Sequence, residues 1–437
     1  MRTFCQRPFH HRYGVGQMLF FVSLVLSSTT SLCGASRAIR LLIAQFPIPL
    51  PLKPCSWWAG RLWLLRLGYY KLTRPKVHAD DWVWIADHSV QVGQEKCLLI
   101  LGMRLSQWPP DGRAVGHADV EPIDLLPVTK STGDIVWEQL EQAVEKTGVP
   151  REILSDHGSD LLAGIRRFCA AHPQTCAIYD ITHKAATIIK YVLEQDEAWA
   201  NFCRFASRTK QQVQQTALAP VAPPTQKPKA RYMNVANLSR WGRDLLRVLE
   251  EGPRLERETH VSAQQVTDKL DWLHEFDASL EEWAELFQLV TITESCIRQE
   301  GFHADSVANL EQRLPESVST DRVTQVREQL VAFVREEAAK AQPGERLLGS
   351  SEVIESVFGK LKQIEQSQAH SGFTGLVLSA AAMVAPTTAE VMLQAVETVS
   401  NKTVLGWCRN TLGFSVQSKR KSIFAKAERS GTKTGST

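Results

Sequence analysis

The chain has 437 residues, 43% of them hydrophobic and 22% charged, with a formal net charge of +3. That length suits two to four domains and that composition an ordinary soluble globular protein, while so small a net charge does not by itself identify a nucleic-acid partner. The nine cysteines form no Cys-x-x-Cys pair, which argues against a zinc site and for reduced thiols in a cytosolic protein.

In chain order, the first 78 residues are expected to form a small helical domain. His10-His11-Arg12 precedes an apolar run at 18–27, and Cys33-Gly34-Ala35-Ser36 follows. Charged, apolar and then small residues are the pattern of an export signal. The run is too short to span a bilayer as a helix. The other reading is a core helix, apolar nearly all round and therefore buried. Residues 31–42 lead from small residues into an amphipathic helix, as a helix-turn-helix unit would, or as a structural helical pair would. Residues 56–70 read as another helix with Arg61 and Arg66 outward. The proline-rich stretch at 46–54 cannot continue a helix and reads as a connector.

From Asp80 the period changes. Trp82-Val83-Trp84-Ile85-Ala86 is a strand-type run, and 96–105 is a second. A third, at 120–128, contains Pro122 and Pro127 and is expected at a sheet edge. Residues 131–148 read as a capped amphipathic helix with Ile135, Leu140, Ala143 and Val144 inward and Gly148 at its end. A strand at 152–156, a helix at 160–171, a strand at 176–180 and a helix at 185–193 follow. This order predicts a mixed sheet flanked by helices. Residues 211–230, rich in Gln, Ala and Pro, read as a linker. Residues 231–345 carry only helical patterns. Ser350 or Ser351 then caps a helix running toward Lys362. Residues 371–375 break the chain, and an apolar helical stretch at 376–392 is interrupted by Pro386, so it is not a membrane span. The last stretch, 418–433, is basic, as suits a segment lying along phosphates or a solvated end.

Three carboxylates stand in distinctive settings. Asp87 follows the first strand run in Asp81-Trp-Val-Trp-Ile-Ala-Asp-His-Ser. Asp156 ends another in Ile153-Leu-Ser-Asp-His-Gly-Ser-Asp. Glu355 lies on the helix Ser350-Ser-Glu-Val-Ile-Glu-Ser-Val-Phe-Gly-Lys-Leu-Lys. An aspartate at a strand end is most often a turn or cap residue. Carboxylates from distant segments that meet are instead what two-metal phosphoryl transfer needs, because a metal pair activates the nucleophile and neutralises phosphate charge. Mg²⁺ and Mn²⁺ take oxygen ligands, and few of them from the protein.

This set resembles the RNase H-like catalytic core of DDE transposases of bacterial insertion sequences. Ser155-Asp-His-Gly-Ser-Asp is similar to the Ser-Asp-x-Gly-x-Asp/Glu segment that holds the second aspartate, which favours Asp156 over Asp160. Asp87 fits the first aspartate. Ser351–Lys362 is similar to the helix that holds the final glutamate; Glu355 is the choice and Glu352, three residues earlier, the rival. Tyr179-Asp-Ile-Thr-His-Lys resembles the Cys/Asp-x-x-His motif, filled by Asp180 and His183, although a histidine held in the core satisfies the same letters. The gap from Asp87 to Asp156 is 69 positions and suits a sheet; the gap to Glu355 is 199 and contains the helical block, where these families carry an insertion. The block has no motif that matches a known insertion.

The resemblance implies an α/β fold: an RNase H-like mixed sheet flanked by helices, interrupted by an all-helical insertion, with a small helical N-terminal domain. The domains would be 1–78, 79–210 for the first part of the core, 211–345 for linker and insertion, 346–400 for the final helix segment of the core, and 401–437 for the basic tail. It implies two Mg²⁺ ions, with Mn²⁺ as substitute, held by Asp87, Asp156 and Glu355, and DNA contacts from His183, Lys184, Lys360 and Lys362. Its activity would be cleavage and strand transfer at element ends in double-stranded DNA, by a homodimer on DNA, in the cytoplasm at the nucleoid. A nuclease on the same fold and an inactive DNA-binding derivative are the alternatives.

Overall fold

The computed structural model describes residues 6–45, 52–92, 95–109, 112–225, 235–251, 257–258, 260–366, 375–412 and 424. The chain divides into two compact units, Met1–Ile178 with Ser351–Thr437, and Tyr179–Ser350.

The first unit is built on a five-stranded mixed sheet in the order β3-β2-β1-β4-β5. Its strands are β1 (Trp82–Val92), β2 (Glu95–Arg104), β3 (Glu121–Val128), β4 (Glu152–Ser155) and β5 (Cys176–Tyr179). β1, β2 and β3 form an antiparallel meander, and β4 joins β1 in parallel. The proline-bearing β3 lies at the edge, as expected, since proline cannot donate to a ladder. Alternation along β1 sends its side chains to opposite faces. Trp82, Trp84 and Ala86 face one way, with Leu98 and Ile100 of β2 and Ile153 of β4. They pack on Val136, Leu140 and Ala143 of α4 (Gly133–Thr147) and on Leu161, Ile165 and Phe168 of α5 (Ser159–Ala171). Thr132 caps α4 through its hydroxyl, which accepts from the Ile135 N–H, and Gly148 ends it at a φ of 82°. Of the expected inner face of α4, Leu140 and Ala143 are buried and Val144 packs against the core half-buried, while Val136 is buried in place of Ile135.

The two helices touch through small residues. A methyl group added at Gly164 would lie 2.5 Å from Val136 Cγ1 and 2.9 Å from the Gly133 carbonyl. Gly164→Ala is therefore expected to destabilise the fold by about 1–3 kcal/mol through overpacking, despite a gain of roughly 1 kcal/mol in helix propensity. Urea unfolding of the variant measures the sign directly.

The other face of the sheet is covered by α3 (Trp57–Thr73), α13 (Glu352–Gln366) and α14 (Leu378–Met383); α13 packs on β1 and the other two on β3. Helices α1 (Val15–Leu26), α2 (Leu32–Gln45), α15 (Ala389–Thr398) and α16 (Asn401–Leu412) complete the unit and pack around α3. The apolar run at the N-terminus is not buried all round. Val15, Met18, Phe21, Val22 and Val25 are buried in α1, whereas Phe20 remains exposed. Arg66, expected outward, points inward: it is 6% exposed and donates to the Val396 carbonyl of α15. Burial lowers its pKa to about 10.

Lys71 of α3 is fully buried. Its ammonium donates to the carbonyls of Ala382 (3.1 Å), Val384 (2.7 Å) and Ala385 (2.8 Å) and to the Thr387 hydroxyl (2.6 Å). It thus ties the segment after α14, where the apolar stretch breaks at Pro386, to a helix more than 300 residues earlier. No helix is long and apolar enough to cross a membrane among the described residues.

The second unit is helical: α6 (Ile181–Glu194), α7 (Glu197–Val213), α8 (Val235–Glu250), α9 (Ala263–Leu270), α10 (Asp277–Glu300), α11 (Ser306–Arg313) and α12 (Asp321–Ala338). The expected linker at 211–230 begins inside α7 and continues as short turns with Leu218 buried; 226–230 lie outside the described residues. The core of the unit is aromatic. Phe202 lies 5.2 Å from Trp283 and 5.4 Å from Phe276, and Phe205 stacks on Trp272 at 5.3 Å. Asp196 caps α7 and also accepts from Trp283 Nε1 (2.9 Å) and Arg322 (2.8 Å). That is how a buried carboxylate is kept satisfied among rings.

Candidate active site

β1 and β4 carry the first two carboxylates. Their parallel register pairs Val83 with Glu152, Trp84 with Ile153 and Ile85 with Leu154. The pairing ends there; the same register continued two steps sets Asp87 level with Asp156, which directly follows β4. Alternation along β1 turns Asp87 to the face of Val83 and Ile85, opposite the face that packs on α4 and α5; Asp156, in the turn after β4, lies within electrostatic reach of His88 on the latter face. Neighbouring strands lie about 4.8 Å apart, so the two backbones are adjacent here. Both aspartates are half-buried.

Local chemistry shapes each one. The Asp87 carboxylate accepts from the His88 N–H at 2.6 Å. Asp156 Oδ1 accepts from the Gly158 N–H at 2.9 Å, closing an Asx turn. His157 takes the left-handed conformation, φ 59°, that this turn requires.

Glu355 lies in the first turn of α13, whose inner face is Val353, Ile354, Val357, Phe358, Leu361 and Ile364. Glu355 sits on the flank of that face and is half-buried; Glu352 is exposed. Lys360 is half-buried and Lys362 exposed on the same helix. His117 reaches Ser356 at 3.2 Å, and burial together with the Lys360 charge lowers its pKa. The fold therefore aligns Asp87 with Asp156 and lays the helix of Glu355 on β1. Among the described residues it gathers no three His, Cys, Asp or Glu side chains into one metal-binding set.

Asp160 has a different situation. It is tied to Lys96 of β2 at 3.2 Å. Burial would push its carboxyl up, but the Ser131 hydroxyl, Lys96 and His88 outweigh this and hold it at about 2. His88 stands beside it on the α4–α5 face of β1, 3.2 Å from Ser131. Burial lowers the His88 pKa and Lys96 adds to this, against Asp160 and Asp156. Sequence patterns did not single out this network; alternation along β1 was the available signal, since it turns His88 away from Asp87. A carboxyl held near 2 lies below the ordinary value of about 3.9. Its stabilisation is complete above about pH 4 and is lost as pH falls toward 2. Asp160→Asn is expected to flatten that limb of the stability curve, measured by urea unfolding at stepped pH.

His183 and Lys184 belong to the second unit. Asp180 is the N-cap of α6, its carboxylate accepting from the His183 N–H at 2.8 Å. The Asp-x-x-His spacing is thus a helix cap in this chain. Lys184 lies over the Phe333 ring at 5.6 Å, and Lys190 pairs with Glu194 at 3.8 Å. Of the basic tail, residues 413–423 and 425–437 lie outside the described residues, as does the break at 371–374.

No family model matches this sequence, and no curated protein does. Among solved structures, the chain is similar to the Drosophila P element transposase strand transfer complex, with 12% identity and a TM-score of 0.39 over 90% of this chain and 93% of that one.

Proposed function

We propose that this protein is a metal-dependent DNA transposase with an RNase H-like core of the DDE type. The observation that carries the reading is the β1–β4 register, which, continued two steps past its last pair, sets Asp87 level with Asp156, 69 positions apart in the chain. Its strands and helices follow the order read from the sequence, a mixed sheet flanked by helices. α13, which bears Glu355, packs on the same strand.

Two carboxylates offer only hard oxygen donors, a set that fits Mg²⁺ or Mn²⁺ rather than a softer metal. Glu355, flanking the pair on α13, is the further ligand in this reading. A divalent pair bound there would supply an activated nucleophile and neutralise charge on the scissile phosphate. The chain's own residues do the rest. Asp87 on β1 is fixed by its pairing with Leu99 of β2. Asp156 is held by its turn, with one oxygen engaged by Gly158. Lys360 and Lys362 follow the third carboxylate and are suited to phosphate contacts that position DNA without reading sequence. His183 and Lys184 would contribute further phosphate contacts. Joining two element ends in one complex calls for a homodimer.

The test uses DNA flanking the gene, end-labelled, with a target plasmid and Mg²⁺. Joined product supports transposition. Cleavage without joining assigns a nuclease, and binding with neither reaction assigns an inactive derivative. Loss of joined product in Asp87→Ala and Glu355→Ala, with DNA binding retained, ties the reaction to these carboxylates.

A further inference from the structure

α16 and α3 enclose an open groove of about 500 Å³ in the first unit. Residues 402, 406 and 410, with 403 and 407 beside them, form one stripe of α16 at three- and four-residue spacing. Tyr69 of α3 forms the opposing wall. Tyr69 and Trp407 meet edge to face, with ring centroids 6.1 Å apart and an interplanar angle of 66°, so each ring braces the other. Lys402 and Asn410 add a cation and an amide, and no acidic residue lines the groove among the described residues. Gly406 leaves the floor open, since a methyl group there would meet nothing within 4 Å.

We propose that this groove binds a base of single-stranded DNA, stacked on the Trp407 ring, which Tyr69 braces, with the adjoining phosphate at Lys402. A flat aromatic surface, a lysine and hydrogen-bonding groups without acidic neighbours are the chemistry that holds single strands with little sequence preference. Charge along the chain agrees. α16 ends at Leu412, and the 25 residues after it contain six Lys or Arg and one Glu.

The test is fluorescence anisotropy with a labelled 20-nucleotide single strand and the matching blunt duplex, in EDTA. Without divalent ions the carboxylate site plays no part, so this result and a failure of the metal-site reading are separable. Gly406→Met fills the groove from a position with free space and removes a helix-interior glycine, so the fold is retained; circular dichroism checks this. Wild type is expected to bind the single strand, and Gly406→Met and Trp407→Ala to weaken it by about 5- to 150-fold, the range for losing one stacked base. Lys402→Ala is expected to lower the salt dependence of single-strand binding, and duplex binding should change less than about twofold in all three. The proposal is overturned if wild type does not bind the single strand, if Gly406→Met binds it as wild type does, or if both DNA forms weaken equally.

Discussion

Asp87→Asn and Asp156→Asn should each reduce Mn²⁺ affinity by more than the roughly 10- to 100-fold that follows loss of an outer-shell partner, and should abolish DNA strand cleavage. Asparagine keeps the size and one oxygen of the side chain but removes the charge that attracts a divalent ion. Both aspartates are half-buried, Asp87 within β1 and Asp156 just past β4, so the neutral variants should fold. Isothermal titration of Mn²⁺ into the purified protein is the direct measurement, and it needs no DNA substrate. Glu355→Gln should cost less in metal affinity than either aspartate, because it stands on a helix flank and not on the paired strands. Equal Mn²⁺ binding in wild type and both aspartate variants would remove the basis for a metal-dependent reaction here.

The parts of this fold legible in the sequence are those set by short-range pattern. Trp82, Trp84 and Ala86 alternate with Val83, Ile85 and Asp87, and that alternation alone implies a strand with two different faces. Thr132 and Gly148 delimit α4 because capping chemistry acts over three or four residues. What escaped depends on partners far along the chain. Arg66 has the composition of a solvated helix face, but its partner is the carbonyl of Val396, 330 positions away. Val136 rather than Ile135 turns inward because α5 approaches α4 through Gly164, and which of two neighbouring residues faces in cannot be read from one helix alone. The candidate site divides the same way. Asp156 follows its strand as the pattern implied, but Asp87, read as a strand end, lies within β1, because pairing with β2 carries that strand on past the apolar run. The relation of Asp160 to Lys96, Ser131 and His88 was not visible, because three separate segments supply it. Asp180-x-x-His183 shows local structure inside a spacing singled out for chemistry: the Asp180 carboxylate caps α6 through the His183 N–H, a role that does not involve the imidazole.

Lys71→Met is expected to destabilise the protein by about 3 kcal/mol or more. Methionine fills most of the volume, so the loss comes from polarity: Lys71 serves four buried or half-buried acceptors, and each acceptor left without a donor costs roughly 1–3 kcal/mol. The same site sets a pH dependence. Burial depresses the Lys71 pKa to about 7, with Arg74 and Lys76 adding to the shift and Glu121 opposing it. In the unfolded chain the amine titrates near 10.4. Between about pH 7 and pH 10 the unfolded state therefore binds the extra proton, and stability rises with pH, by up to about 1.4 kcal/mol per unit for one group. Lys71→Met should remove that rise and leave the slopes contributed by Lys76 and the other amines. Urea unfolding of both proteins at stepped pH from 6 to 10 measures the difference. If the two curves run parallel across that range, the Lys71 ammonium keeps its proton throughout, and its four oxygen partners outweigh the cost of its burial.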